Sequence, residues 1–229
     1  MNKDTLKRRH FLKTVGAAAI PLGLAATTVL AHDDEPETAK KRHYLAINTS
    51  YRPGMTTSVG LQKVLESIQE ADPSATVELL ELANFDLRGY FPVGTPAEEQ
   101  KDQFPEILKA LENPDLAGII LGSPTYNGTM SSLCKIFIEK CNPLKKTGLL
   151  KNKVVGFVAV GGARNGGQEL VLQTITMSWN GHQLIHADDQ AHWGATLWNQ
   201  GDSISEDAAG LGMCQKLGVR MADLAKMVK

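Results

Sequence analysis

Apolar residues along this chain occur in two patterns: short continuous runs, and longer segments with an apolar position every three or four residues. We predict strands from five runs of the first kind, at residues 43–48, 75–82, 116–121, 154–160 and 182–187. The third and fourth runs are apolar throughout, as is typical of parallel strands that are buried on both faces.

The second pattern predicts five helices, one after each strand. They cover residues 57–71, 95–111, 131–141, 167–179 and 206–228. Thr95 is expected to cap the second helix. This alternation predicts a doubly wound α/β domain with a mostly parallel sheet. Ligands bind such sheets at the carboxyl ends of the strands, so the loops after the first, third and fourth strands form the candidate site.

The first residues follow neither pattern. Arg8 and Arg9 precede Phe-Leu-Lys, an apolar run follows at residues 15–31, and the chain then turns acidic. A basic start, an apolar stretch and the small Ala31 before polar residues predict a secretory signal, and the arginine pair is typical of the twin-arginine class. The alternative is a membrane anchor that is never removed, although the run has about 17 residues where a spanning helix needs about 20.

The sequence therefore divides into a signal at 1–31, an acidic linker at 32–42 and a folded domain at 43–229. The 24 basic and 25 acidic residues of the whole chain become 19 and 24 without the signal, a formal net charge of −5. This acidic body argues against nucleic acid as a partner.

The chain contains three cysteines, an odd number that cannot all pair within one exported chain. Cys134 and Cys141 are seven residues apart on a predicted helix, about 10.5 Å along its axis, whereas a disulfide needs Cα atoms within about 7 Å. We therefore predict that these two are packed thiols. The third is Cys214, and no cysteine spacing predicts a metal site.

The loop after the first strand, residues 48–58 (loop 1), is rich in hydroxyl groups and opens a helix. Backbone N–H groups at a helix N-terminus attract anions, so this loop and its Arg52 are a candidate phosphate site. The loop has neither the Gly-Lys-Ser/Thr ending of a P-loop nor the three glycines of the dinucleotide fingerprint. The alternative is simple capping of the helix by Thr56 or Thr57.

An aromatic residue and several glycines distinguish the other two loops. Loop 2, residues 122–130, holds Tyr126, whose ring or hydroxyl can meet a flat ligand, with ordinary turn packing as the alternative. Loop 3, residues 161–169, has four glycines in seven residues, which favours unusual backbone dihedrals or close packing against a ligand. A mobile loop without a ligand is the alternative for loop 3.

Together, the three loops resemble the FMN loops of the flavodoxin-like NADPH-dependent FMN reductase superfamily. The most similar branch comprises the tryptophan-repressor-binding-protein type quinone reductases and the iron–sulfur flavoproteins. Gly-Ser-Pro-Thr-Tyr-Asn-Gly-Thr-Met in loop 2, followed by the helix Leu-Cys-Lys-Ile-Phe-Ile-Glu-Lys, is the most specific part of the resemblance. The resemblance continues through His192-Trp-Gly-Ala195 and the last helix, so it covers about residues 43–229.

The resemblance implies a five-stranded parallel sheet in the order 2-1-3-4-5 and one FMN site built from all three loops. The FMN phosphate would be held by Ser50, Arg52, Thr56, Thr57 and Ser58. The isoalloxazine and the ribityl chain would be bordered by Pro124, Thr125, Tyr126, Asn127 and Gly128. The pyrimidine side of the ring would be lined by Gly161, Gly162, Ala163, Arg164 and Gly167.

The chain departs from this family in two places. Loop 1 reads Ser50-Tyr51-Arg52 where the family has Ser-Pro-Arg, and residues 83–105 contain no cysteine, so we predict no iron–sulfur cluster. We name no catalytic residue, because hydride transfer to a flavin needs no protein acid or base. His192 and Trp193 are candidates for a wall of the substrate pocket, the alternatives being a surface polar partner for His192 and a core position for Trp193.

The function that the resemblance implies is that of an FMN-dependent NAD(P)H:quinone or flavin reductase. NAD(P)H is the candidate donor, a quinone or a redox protein is the candidate partner, and the assembly is expected to be a dimer or tetramer. The alternatives are an electron-transfer protein without a small substrate and a flavin-free α/β binding module. Twin-arginine export carries folded proteins with their cofactors, so we expect a periplasmic or otherwise exported protein, where a redox partner or the quinone pool can replace scarce NAD(P)H.

Overall fold

A computed structural model describes residues 41–87, 102–190 and 192–228, which all lie in one compact unit, Ala39–Lys229. The predicted signal, most of the predicted linker and the predicted cap Thr95 lie outside the described residues. In chain order the elements are β1 His43–Asn48, α1 Thr56–Ala71, β2 Thr76–Glu81, α2 Phe104–Leu111, β3 Leu116–Tyr126, β4 Thr129–Met130, α3 Ser132–Lys140, α4 Leu144–Thr147, β5 Val154–Gly161, α5 Gln168–Trp179, β6 Ile185–His186, β7 Ala195–Trp198 and α6 Ala208–Met227.

The sheet has the strand order β2-β1-β3-β5-β6, and all of these neighbours are parallel. With β5 and β6 as the fourth and fifth strands, this confirms the predicted flavodoxin-like order 2-1-3-4-5. The central strand β3 lies between β1 and β5, so the carboxyl ends of these three strands are adjacent at one edge of the sheet.

The fifth position of the sheet is shared by two short strands, and the predicted single strand at 182–187 is wrong in its extent. β6 pairs with the first two residues of β5, and β7 then pairs with Val158–Gly161. The chain returns to the sheet through Gly194, which has φ 151°, and a Cβ there would lie only 2.3 Å from the carbonyl oxygen of Phe157. Glycine at this position therefore allows the interrupted strand.

Loop 2 contains a hairpin that was not predicted. β3 runs past the predicted end at Leu121 as far as Tyr126, and its last two residues pair with β4 in antiparallel fashion. The two residues between them, Asn127 and Gly128, have φ values of 51° and 74°. Asn-Gly with two positive φ angles is the sequence signature of a type I′ turn, so this hairpin was readable from the sequence.

The second helix is shorter than the predicted 95–111. It begins at Phe104, and the two described residues before it, Asp102 and Gln103, are not helical. Pro105 in the first turn explains this start, because proline disfavours helical backbone in the residue before it and fits the first turn of a new helix.

Side chains of the strands fill two cores, one on each face of the sheet. In β1, Leu45 and Ile47 pack with the core that contains residues of α2, α3 and α5. Tyr44 and Ala46 pack on the opposite face, with residues of α1 and α6. Every residue of β1 is buried, as the continuous apolar run predicts for a strand covered on both faces.

The three cysteines are buried free thiols, which confirms the prediction for Cys134 and Cys141. Burial raises the pKa of Cys134 and of Cys214 to about 12, so both are protonated at neutral pH. Within the described ranges, no cluster of three or more His, Cys, Asp or Glu side chains is arranged to hold a metal ion. The helices in the same ranges include none with the length and apolar character of a membrane span.

Helices α1 and α6 approach each other closely at Gly218, where a Cβ would lie 2.5 Å from the carbonyl oxygen of Val64 and 2.7 Å from the Cβ of Ser67. We expect Gly218→Ala to lower the free energy of unfolding by about 2 kcal/mol, because the two helices must separate to admit the methyl group. Gly212→Ala on the same helix is the matched control, since nothing lies within 4 Å of its Cβ position. Because alanine has a higher helix propensity than glycine, this variant should leave the free energy of unfolding unchanged or raise it by up to about 1 kcal/mol. Urea unfolding measures both, and equal effects would contradict this account of the interface.

Candidate functional site

The three predicted loops meet at the carboxyl ends of β1, β3 and β5. Loop 1 is joined to loop 2 by the Thr49 hydroxyl, which donates to the carbonyl oxygen of Gly122 at 2.8 Å. It is joined again by the buried hydroxyl of Ser131, which donates to the carbonyl oxygen of Thr49 at 2.7 Å. Loop 3 reaches loop 2 at Gly167, where a Cβ would lie 3.2 Å from the Cα of Gly128.

The N-terminus of α1 carries no side-chain cap. Its N-cap residue is Met55, and Thr56, Thr57 and Ser58 form a buried first turn. The alternative of helix capping by Thr56 or Thr57 is therefore wrong. First-turn N–H groups have no partner within a helix and carry the positive end of its dipole, so this turn offers donors to an anion.

Hydroxyl groups surround this turn, and two of them are already engaged. Ser50 Oγ accepts a hydrogen bond from the Arg52 N–H at 3.1 Å, and Ser58 Oγ accepts one from the Asn48 amide at 2.8 Å. Among the described residues, no hydrogen-bond partner is found for the hydroxyls of Thr56 and Thr57. The hydroxyls of Thr56 and Thr57 are therefore wholly available to a ligand, and the O–H groups of Ser50 and Ser58, which only accept in these bonds, can still donate.

Glu81, at the end of β2, holds loop 1 in place and was not predicted as a site residue. Its carboxylate accepts hydrogen bonds from the Gly54 N–H at 3.2 Å and from the side-chain amide of Asn48. The sequence signal that could have identified Glu81 is its place at the end of the strand beside β1. Parallel neighbours end at the same edge of the sheet, so its carboxylate lies near loop 1.

Arg52 extends over the surface and forms an ion pair with Asp202, with Nη1 and Oδ1 2.8 Å apart. The hydrogen bond from Arg52 lowers the pKa of the Asp202 carboxyl below its usual range, and the same bond raises the pKa of Arg52. Arg52, which was predicted to bind the phosphate, is thus already paired with a carboxylate from the segment after β7.

One residue predicted to border the FMN ring, Thr125 of loop 2, has a buried side-chain oxygen, Oγ1, without a hydrogen-bond partner among the described residues. Pro124 lies beside it in β3, and Tyr126, Asn127 and Gly128 form the exposed end of the hairpin. Buried polar atoms in native proteins are normally hydrogen-bonded, so Thr125 marks a position where a ligand can supply the missing partner.

Gln168 organises loop 3. Its Oε1 accepts from the Gly166 N–H at 2.8 Å, and its Nε2 donates to the carbonyl oxygens of Ala163 at 2.6 Å and Leu197 at 3.2 Å. A Cβ on Gly161 would lie 2.5 Å from the carboxamide of Gln168. Close packing against Gln168 thus explains Gly161, and the left-handed φ of 97° explains Gly167. Gly162 lies in the same loop, directly before Ala163.

Arg164 of loop 3 is held over the side of the site away from loop 2. Its guanidinium donates to Asp207 at 2.9 Å and lies 5.1 Å from the centre of the Trp198 ring. Asp207 also accepts from the N–H groups of Trp198 and Gly210 at 2.7 and 3.2 Å. Burial tends to raise the pKa of Asp207, but these hydrogen bonds outweigh it, so the pKa lies below its usual range.

His192 and Trp193 lie beside a different pocket. They line an open cavity of about 300 Å³ together with His186, and none of its lining residues belongs to the three loops. Trp193 is 50% exposed, so the core alternative for this residue is wrong. His192 has its Nδ1 2.9 Å from the buried Asp189 carboxylate, which agrees with the polar-partner alternative.

A family model described as NADPH-dependent FMN reductase matches residues 43–195, from the start of β1 to the start of β7. The chain belongs to this family. Membership supports the flavodoxin-like fold and FMN as the cofactor, and it makes the chain an FMN-dependent oxidoreductase. The hydroxyls of Thr56, Thr57 and Thr125 have no hydrogen-bond partner among the described residues. They fit FMN, which carries a phosphate at one end and polar ring edges at the other.

An archaeal relative and two solved structures extend this match. An iron–sulfur flavoprotein of Methanocaldococcus jannaschii is 35% identical over 194 residues, which cover 81% of this chain and 98% of the relative. A WrbA-like flavodoxin from Agrobacterium tumefaciens aligns over 83% of this FMN reductase family member and 100% of its own chain, with TM-score 0.55 and 18% identity. An oxidoreductase from Corynebacterium diphtheriae aligns over the same shares with TM-score 0.64 and 16% identity. The two structures share its fold.

The three hydrogen bonds of Asp207 predict a pH-dependent stability. We expect Asp207→Asn to lower the free energy of unfolding by about 2 kcal/mol at neutral pH, because an amide cannot accept from all three donors. The folded pKa lies below the usual 3.8. The carboxylate therefore stabilises the fold above about pH 4, and this contribution is lost as the pH falls through the folded pKa.

Urea unfolding at pH 7 and at about pH 3 tests this expectation. The gap between the wild type and Asp207→Asn should narrow at the lower pH. Asp223→Asn, an exposed carboxylate on the same helix, is the control and should change little. A gap of constant size at both pH values would contradict the assigned role of the charge.

Proposed function

We propose that this chain is a flavin-dependent reductase that passes electrons from NAD(P)H, or from a reduced partner protein, to a quinone or flavin. The single observation that supports this best is the buried first turn of α1, which has no side-chain cap and ends a loop that the Thr49–Gly122 hydrogen bond joins to loop 2. The N–H groups of that turn offer donors to an anion. Loops 2 and 3 approach each other at Gly128 and Gly167, at the same edge of the sheet.

The phosphate of FMN is proposed to bind the first turn of α1. Backbone N–H groups and the hydroxyls of Thr56 and Thr57 supply donors, and the helix dipole favours the negative charge. Ser50 accepts a hydrogen bond from the backbone N–H of Arg52 and Ser58 accepts one from the side chain of Asn48, so both hydroxyls are held in place within loop 1. Glu81 keeps Gly54 and Asn48 in position on the far side of the loop.

The ring of FMN is proposed to lie where the Asn127–Gly128 turn faces Gly167. Thr125 Oγ1 meets a polar group of the cofactor there, and the absence of a Cβ at Gly167 lets the two loops approach. FMN, when bound, accepts and releases hydride equivalents. The role of the chain is to hold the ring, to exclude water from one side of it, and to leave the exposed Tyr126 side open to a substrate.

The electron source is proposed to be outside this chain. The archaeal relative is named an iron–sulfur flavoprotein, and iron–sulfur clusters of the common types are held by four cysteines. This sequence has three cysteines in all. Cys134 lies on α3 and Cys141 directly follows that helix, whereas Cys214 lies on α6, on the opposite face of the sheet. One chain therefore cannot supply a four-cysteine set, and a diffusible or protein donor takes its place in our proposal.

The proposed phosphate site predicts the effect of a single hydroxyl. We expect Thr57→Ala to weaken FMN binding about tenfold, because one donor to the phosphate is lost. Flavin fluorescence quenching on titration of the full chain measures this. Thr174→Ala is the control, since that hydroxyl donates to its own helix at Leu170 and should leave FMN affinity unchanged. Failure of the wild-type chain to bind FMN would reject the proposed function.

We also propose that the protein acts outside the cytoplasm, supported by Arg8-Arg9 and the apolar run 15–31. Replacement of both arginines by lysine keeps the charge but removes the arginine pair, so we expect it to abolish export while the cytoplasmic pool still binds FMN. Cell fractionation with immunodetection measures the distribution. Lys40 and Lys41 changed to arginine serve as the control. Unchanged export of the double lysine variant would reject the twin-arginine route.

A further inference from the structure

A tight turn after β7 presents a carboxylate to loop 1. Gln200 and Ser203 exchange backbone hydrogen bonds of 2.7 and 3.1 Å, and the residues between them, Gly201 and Asp202, have φ values of 59° and 63°. Two positive φ angles define a type I′ turn, which is rigid and places Asp202 at its tip. Asp202 was not among the residues predicted from the sequence.

The tip of this turn contacts loop 1 through one ion pair. Arg52 Nη1 lies 2.8 Å from Asp202 Oδ1, and the two side chains are 47% and 54% exposed. Asp202 also lines a cavity of about 230 Å³, whose walls include Gly54 and Thr56 at the start of α1. The ion pair therefore lies beside the first turn of α1, where the phosphate is proposed to bind.

The two charges of the Arg52–Asp202 ion pair respond in opposite ways to a phosphate. A phosphate monoester carries a charge of about −1.5 to −2 near neutral pH, and arginine binds it in bidentate fashion. The single negative charge of Asp202 attracts Arg52 less strongly than such a dianion does, and it also repels the dianion. An exposed ion pair of this kind is weak and exchanges easily.

We propose that Asp202 is a counter-ion that Arg52 gives up when the FMN phosphate binds, and that it thereby limits how much more tightly the site holds FMN than riboflavin. This inference rests on the proposed function. Asp202 acts through Arg52 and through its own charge, so it is a positioning and specificity-determining residue that does not take part in the redox step.

The test is Asp202→Asn in the full chain, because asparagine keeps the left-handed backbone and removes only the charge. We expect the Kd for FMN to fall about fivefold at low salt and the Kd for riboflavin, which lacks the phosphate, to stay unchanged. The gain should shrink as salt is added. A change in fold alone would alter both affinities together.

A second pair of variants separates exchange from simple repulsion. Asp202→Asn is measured again in an Arg52→Ala background, where no guanidinium is left to release. We expect a smaller gain there than in the wild type, because only the repulsion is removed. Equal gains in both backgrounds would overturn the exchange, and weaker FMN binding by Asp202→Asn would show that the carboxylate instead holds Arg52 ready for the phosphate. A wild-type chain that does not bind FMN rejects the proposed function itself, whereas normal wild-type binding without a gain in Asp202→Asn rejects only this inference.

Discussion

The parallel pairing of β3 with β1 on one side and β5 on the other is the constraint on which the site depends. Parallel neighbours end at the same edge of a sheet, so three loops that are far apart in sequence begin side by side. The register places Asn48 opposite Gly122, and Pro124 opposite Val160. The continuous burial of these strands on both faces fixes that register, because a slip by one residue would exchange the two cores.

Side chains from outside each loop, or from its end, then hold the loop in place. Loop 1 is held by Glu81 from β2, and loop 1 is joined to loop 2 by Ser131 from the start of α3. Loop 3 is held by Gln168 at its end and by Asp207 from the start of α6. The glycines of these loops therefore lie in a fixed framework, which agrees with a site formed before its ligand arrives.

The acidic groups around the site have different consequences, because their burial differs. Asp207 is buried and accepts three hydrogen bonds, so its charge contributes to the stability of the fold. Asp202 is exposed and has a single cationic partner on loop 1, so its charge is available to compete with a ligand. Burial separates these two roles for residues that lie only five positions apart in the chain.

The sequence alone determined the alternation of strands and helices and the position of the three loops, since apolar runs and helical spacing are local signals. The spatial strand order was implied by the resemblance of the loops to a known family. The Asn127–Gly128 turn and the start of α2 at Phe104 also have local signals, Asn-Gly and Pro105, but neither was predicted from the sequence. The tertiary structure decided which polar groups are free. Glu81 accepts from the Gly54 N–H, Asp202 pairs with Arg52, and Gln168 donates to the Leu197 carbonyl oxygen. Gly194 allows the fifth strand to be split, because it lies close to the backbone of Phe157. These facts depend on contacts between residues far apart in the chain, and no local pattern of apolar and polar residues encodes which of them will touch.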